Sequence, residues 1–200
     1  YCADCMDILP QLPDGCVDLC LTDPPYGIDY QSARRTDKGQ WKPKIANDKE
    51  PFIDWIGPVY RPIKEGGRLV CFERWDVEDV FRHAIESAGF AVKSQIIWDK
   101  VVHGMGDLKG EFAPCHENAL YATKGRYEFK GLRPKTILRH MRVMPELLIH
   151  PNEKPVSLAV EIIQRLTVKG ELVADLFAGS GSVAVACIRL GRKFIGIEIS

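Results

Sequence analysis

The sequence predicts an α/β domain of Rossmann-like type, with a mainly parallel, twisted sheet and helices on both faces. Three observations carry that expectation. Short runs of β-branched and aliphatic residues alternate with stretches at helical spacing. One such run leads straight into Gly179-Ser180-Gly181 and then a helix-like stretch, a strand–turn–helix pattern. A length of 200 residues, 46% hydrophobic and 27% charged, can bury a single core without disulfides or metals.

Taken in order, Val17 to Thr22 reads as a buried strand. Asp54 to Lys64 carries Pro58 and Pro62 and reads as a broken helix, which Gly66-Gly67 ends. Arg68 to Phe72 is a strand rich in apolar residues. Val77, Val80, Phe81, Ala84 and Ile85 recur at helical spacing, with Gly89 as the stop. Phe90 to Trp98 and Asn118 to Thr123 read as strands. Pro155 opens a helix with Val156, Ala159, Val160, Ile163 and Leu166 on one face, and Gly170 terminates it. Leu172 to Phe177 is a strand, Ala178-Gly179-Ser180-Gly181 a turn, Val183 to Leu190 a helix closed by Gly191, and Phe194 to Ile199 the last strand.

Composition excludes little but guides the rest. No run approaches the ~18 apolar residues that span a bilayer, and Tyr1-Cys2-Ala3-Asp4 has no signal-peptide character. Lysine plus arginine equals aspartate plus glutamate at 27 each, so a basic face must be local. Two stretches that resist regular structure gather positive charge. One spans 31–50, with Arg34, Arg35, Lys38, Lys42, Lys44 and Lys49. The other spans 125–149, with Arg126, Lys130, Arg133, Lys135, Arg139 and Arg142. Trp41 in the first serves equally as a duplex wedge or a buried anchor. Cys2 and Cys5 form a C-x2-C, but a single pair is weak evidence for zinc. Cys20, Cys71 and Cys187 sit in apolar runs, so the seven cysteines read as reduced thiols of a cytoplasmic protein, with no metal site.

Candidate ligand chemistry centres on two strand ends. Gly179 and Gly181 permit a tight turn close to a ligand, and Ala184 lets the helix pack on its strand. Glu198 ends the next strand, where a carboxylate can accept ribose hydroxyls. That pattern alone suits NAD as well as S-adenosylmethionine, and a glycine turn can also serve the fold alone. Asp175 shifts the balance: a carboxylate at this strand end repels a pyrophosphate and suits an ammonium group. Asp175-Leu176-Phe177-Ala178-Gly179-Ser180-Gly181 resembles the cofactor motif of amino-directed DNA methyltransferases.

Asp23-Pro24-Pro25-Tyr26 comes directly after the first strand and therefore sits where α/β sheets bind ligands. An exocyclic amine is a poor nucleophile because its lone pair is delocalised into the base. A carboxylate and a carbonyl accepting its two N–H bonds draw the nitrogen toward tetrahedral geometry, and Asp23 and the Pro24 carbonyl suit that task. The two prolines fix φ and hold the acceptors in place. Tyr26 offers a face on which a flipped base can stack, returning roughly 1–3 kcal/mol.

The whole chain resembles the β-type, permuted group of DNA amino-methyltransferases, in which the catalytic motif precedes the cofactor motif as Asp23 precedes Asp175. The lead-in Cys2-Ala3-Asp4-Cys5 through Val17-Asp18 and the segment His150-Pro151-Asn152-Glu153-Lys154-Pro155 are similar to family segments. The resemblance implies a single catalytic domain over 1–200 of the S-adenosylmethionine-dependent methyltransferase fold, with 125–149 as a short target-recognition segment. It implies that Asp4 contacts the adenine ring of the cofactor, and that Asn152 and Lys154 lie beside its methionine moiety, Lys154 meeting a carboxylate. His116-Glu117-Asn118 through Thr123-Lys124-Gly125 matches a family strand and is read as structural.

The activity implied is methylation of adenine N6 in double-stranded DNA by a bacterial or phage enzyme. Family members acting on cytosine N4 usually carry serine where Asp23 stands, which favours adenine and keeps cytosine N4 as the alternative. Because the 125–149 segment is short, recognition calls on the 31–50 loop or on a second subunit in a homodimer, and the resemblance also allows a companion restriction enzyme. A nicotinamide-dependent oxidoreductase is the rival from another class, and it leaves Asp23 to Tyr26 unexplained. A non-catalytic binder of the same fold is a third reading.

Overall fold

The computed structural model describes residues 1–27, 49–103, 109–110, 112–143 and 153–199. Strand β1 (Val17–Thr22) lies at the centre of the sheet and is buried along its whole length. It pairs in parallel with β2 (Ile63–Glu73) on one side and β6 (Leu172–Asp175) on the other. Beyond β6 comes β7 (Lys193–Gly196), also parallel. On the far side of β2 lie β4 (His116–Thr123), β3 (Ala91–Asp99) and β5 (Ile137–Arg139), giving the seven-strand order β5-β3-β4-β2-β1-β6-β7. Among the described residues, four of the six strand pairings are parallel, and β4 runs against both of its neighbours. The first residues extend the far edge: the Ala3 N–H donates to the Glu198 carbonyl (2.9 Å) and the Glu198 N–H to that of Tyr1 (3.0 Å).

Strands buried on both faces need helices on both faces. Residues Cys20, Cys71 and Ala174 point into one core with α1 (Cys5–Ile8), α2 (Ile56–Tyr60) and α3 (Glu78–Ser87). Leu19, Leu21, Val70 and Val173 point into the other, against α4 (Val156–Leu166) and α5 (Ser182–Leu190). Burying a leucine in such a core is worth roughly 1.5–3 kcal/mol, so this alternation of core faces fixes the register of β1.

Several expectations shift. The broken helix expected over 54–64 survives only as α2, and the chain is already in β2 at Ile63. Gly66-Gly67 does not end a helix but forms a bulge within β2, where the register against β1 jumps from Val17↔Ile63 to Leu19↔Arg68. A side chain on Gly67 would meet the Lys64 carbonyl at 2.7 Å. Pro62 cannot continue a helix, and pairing with β1 captures the chain from Ile63 onward. The α4 helix ends at Leu166, before Gly170, and its buried face is Leu158, Ala159, Ile162, Ile163 and Leu166, with Val156 and Val160 partly buried beside it. Within 125–149, expected to be irregular, Ile137–Arg139 forms edge strand β5. Trp41 and the stretch 31–48 lie outside the described residues, as do 144–149.

Candidate active site

In a parallel sheet, ligands bind at the carboxyl ends of the strands. That edge here carries Asp23 after β1, Glu73 at the end of β2, Asp99 at the end of β3 and Asp175 at the end of β6. The reversed strand β4 brings its first residues to the same edge, since Asn118 pairs with Glu73 and His116 with Asp99. Glu117 thereby joins the site through topology rather than local sequence.

Asp23 is held from two sides. The Lys154 ammonium donates to Oδ2 and the Tyr26 hydroxyl to Oδ1. Burial, reinforced by the Asp23 charge, pushes the Tyr26 hydroxyl well above its ordinary pKa, so it stays a donor. Lys154 is also 3.2 Å from Glu117 Oε2 and lies 4.4 Å from the centre of the Phe72 ring. Glu117 in turn pairs with Lys100 through Oε1 at 2.6 Å. Burial opposes charge on both Lys154 and Glu117, yet their partners win: Lys154 rises above its ordinary value and Glu117 falls below its own. An ionised carboxylate offers about four lone-pair directions, so Asp23 retains room for an amine N–H.

The proline turn is braced from outside. The Phe52 N–H donates to the Pro25 carbonyl (3.1 Å), leaving the Pro24 carbonyl as the one next to Asp23. Gly27 has φ +82°, and a side chain there would collide with the Glu50 and Pro51 backbone at 2.4–2.6 Å. The Tyr26 ring meets Phe81 edge to face at 6.5 Å.

The second strand end is organised differently. Thr22 donates its hydroxyl to Asp175 Oδ1 (3.0 Å) and accepts the Leu176 N–H (3.1 Å), tying the ends of β1 and β6 together. The Phe177 N–H donates to the same Asp175 oxygen (3.2 Å). Burial pushes the Asp175 carboxyl up to about 7, partly countered by those two hydrogen bonds and raised further by Asp23 and Glu198. Three carboxylates thus lie at the carboxyl edge of the sheet. Phe177 packs edge to face on Phe52 and Trp55, each at 5.9 Å. The turn from Ala178 to Gly181 closes through Gly181 N–H to the Ala178 carbonyl (2.8 Å), with Gly179 and Gly181 at positive φ. Glu198 Oε2 accepts the Gly179 N–H (2.6 Å), so the acid after β7 folds back onto the glycine turn. Asp4 caps α1 by accepting the Met6 N–H (2.9 Å), one residue from the pairing with Glu198.

The structure therefore gathers Asp4, Asp175, Phe177, Ala178, Gly179, Ser180, Gly181 and Glu198 around the β6 turn, and Asp23 to Tyr26 around the β1 turn. Asn152 lies outside the described residues. Lys154 sits at Asp23 and Glu117, both carboxylates of this chain. The sequence does not single out Thr22 or Glu73, and Glu117 reads there as structural. A polar residue ending a buried strand marks Thr22, but only strand order reveals the other two. Glu73 is buried and pushed up to about 7, first by burial and then by Glu78.

Comparison with known proteins shows the family. Residues 17–200 match the sequence profile of a family described as DNA methylase. A protein of Escherichia coli (strain K12) named as a putative methylase, YubD, is 32% identical over 209 residues, covering 98% of this chain and 82% of its own. The solved complex of M1.HpyAVI with SAM superposes at a TM-score of 0.75 with 26% identity, covering 100% of this chain and 92% of that one. The cytosine-N4-specific PvuII DNA methyltransferase reaches the same TM-score at 17% identity, covering 100% and 81%, which is a likeness of fold.

Proposed function

The chain belongs to the DNA methylase family, and we propose that within it the protein methylates adenine N6 of a base flipped from double-stranded DNA. The methyl donor is S-adenosylmethionine, the ligand of the similar M1.HpyAVI complex. It supplies an electrophilic methyl group on a sulfonium centre. The observation that carries the reading is the placing of Asp175 and Glu198 beside one glycine turn, the first bonded by the Phe177 N–H and the second by the Gly179 N–H, where carboxylates suit a cationic ligand and disfavour a pyrophosphate.

In this reading Asp175 faces the ligand's ammonium group, Glu198 its ribose, and Asp4 its adenine ring. Phe177 and the turn Ala178-Gly179-Ser180-Gly181 form the adjoining wall, and Asn152 belongs to the methionine side. Asp23 and the Pro24 carbonyl accept the two N–H bonds of the target amine. As the amine nitrogen gained the methyl group, the methyl–sulfur bond would break with its electron pair left on sulfur, releasing S-adenosylhomocysteine, and the nitrogen would give up one proton, which Asp23 would accept. Tyr26, fixed by Phe81 and by its bond to Asp23, supplies an aromatic wall for the base.

The test is incubation of DNA with donor carrying a labelled methyl group, then separation of the nucleosides. Label in N6-methyladenine is expected. Label in N4-methylcytosine would replace adenine by cytosine while keeping the mechanism, and no label in either would overturn the methyl-transfer reading.

A further inference from the structure

We propose that Lys154, anchored by Glu117, is a positioning residue for Asp23 and serves the amine side of the site, not the carboxylate of the methyl donor. The inference rests on the methyl-transfer reading and adds two residues to it. Lys154 donates to Asp23 Oδ2 and lies 3.2 Å from Glu117 Oε2, with its ammonium over the Phe72 ring. Its side chain is 12% exposed, so this is not a surface ion pair of marginal worth. A lone ammonium buried that deeply would carry a large desolvation penalty; two carboxylates and an aromatic face offset it.

Geometry gives the device a function beyond charge balance. A carboxylate rotates about its Cβ–Cγ bond, and an acceptor that rotates cannot hold an amine nitrogen in line with a methyl group. Lys154 engages one Asp23 oxygen and Tyr26 the other, which locks that rotation and leaves the remaining lone pairs in a set direction. Tyr26 is three residues from Asp23, whereas Lys154 reaches it across 131. Lys154 is itself tethered by Glu117, whose other oxygen is held by Lys100 at 2.6 Å, so the chain Asp23–Lys154–Glu117–Lys100 alternates charge and sums to zero. Such a neutral row can stay buried without recruiting counterions, and it leaves the net charge facing the donor to Asp175 and Glu198.

The experiment measures S-adenosylhomocysteine affinity by calorimetry and steady-state methyl transfer to DNA for wild type, Lys154→Met, Lys154→Arg and Glu117→Gln. Thermal unfolding of each confirms that it folds. Misplacement of a reacting group by about 1 Å can lower a rate on the order of 100-fold, so Lys154→Met is expected to lose about that much kcat. Its affinity for S-adenosylhomocysteine is expected to stay within about twofold of wild type, because the lysine is assigned to Asp23 and Glu117 and not to that ligand. Glu117→Gln should lose about 10-fold in kcat with KM for the donor unchanged, and Lys154→Arg should restore most of the rate, since a guanidinium still donates to a carboxylate. Donor-product affinity falling 10-fold or more in Lys154→Met would overturn the inference and place the lysine on the methionine side. So would wild-type kcat in Glu117→Gln. A folded wild type that binds S-adenosylhomocysteine yet transfers no label would overturn the methyl-transfer reading and this inference together, whereas an active wild type with either result above overturns this inference alone.

Discussion

The two turns at the carboxyl edge of the sheet are built on opposite plans. At the β6 turn, backbone N–H groups bond both acids, from Phe177 to Asp175 and from Gly179 and Ile199 to Glu198, and one side chain from another strand, Thr22, adds a donor to Asp175. At the β1 turn, Asp23 is held by the side chains of Tyr26 and Lys154, the latter 131 residues away, and Lys154 by Glu117 from a third element. A site built on backbone N–H groups is set once its turn closes and tolerates side-chain change around it. A site built on side chains from separate elements depends on each of them. The first suits binding a constant ligand, and the second suits presenting a reacting group whose orientation must be held.

The largest effect that would test this contrast is on catalysis. Asp23→Ala should lower methyl transfer by about 10³-fold or more, the scale of a lost positioned proton acceptor. Its S-adenosylhomocysteine affinity should remain that of wild type, and near-normal turnover would break the assignment of the two turns. Next, Asp175→Asn should weaken S-adenosylhomocysteine by about 10- to 100-fold, in keeping with a charged hydrogen bond worth ~1.5–3 kcal/mol. An unchanged dissociation constant by calorimetry would remove Asp175 from the ligand's ammonium.

A smaller effect appears in pH. Burial pushes the folded-state Asp175 carboxyl up from 3.8 to about 7. The ammonium of the ligand needs the ionised form, so affinity should strengthen as pH rises from about 6 to 8. Stability moves the other way. The folded protein retains a proton that the unfolded chain releases between pH 3.8 and about 7, so this group's contribution declines as pH rises through that window. Asp175→Asn should flatten both slopes, which calorimetry and thermal unfolding at about pH 5 and pH 8 would show. Smallest of all, Thr22→Val should cost about 1–3 kcal/mol of unfolding free energy in denaturant titrations. It strips a donor from Asp175 and an acceptor from the Leu176 N–H, both buried. A larger loss of turnover than of stability would show that Thr22 couples the two turns in function as well.

The contrast also explains which parts of the site are legible in the sequence. Gly179, Gly181, Asp175 and Glu198 are legible because their backbone partners are close along the chain and glycine reports the φ that the turn requires, here +47° and +80°. Asp23 to Tyr26 are legible because two prolines after a buried strand restrict the turn. Glu117 reads as structural because nothing around it distinguishes it from any strand residue at a sheet end. Gly66-Gly67 misleads for a related reason. Locally it ends a helix, and only pairing of Ile63 with Val17 turns it into a bulge.

By itself, then, the sequence determined which residues can form the two turns and which strands must be buried, since periodicity, proline and glycine act over a few residues. Only the tertiary structure decided that β4 runs backwards through the sheet, which lands Glu117 beside Lys154 and lets Lys154 close on Asp23. Strand direction and long-range ion pairs are settled by how whole elements bury their apolar faces. No local signal in the chain encodes that choice.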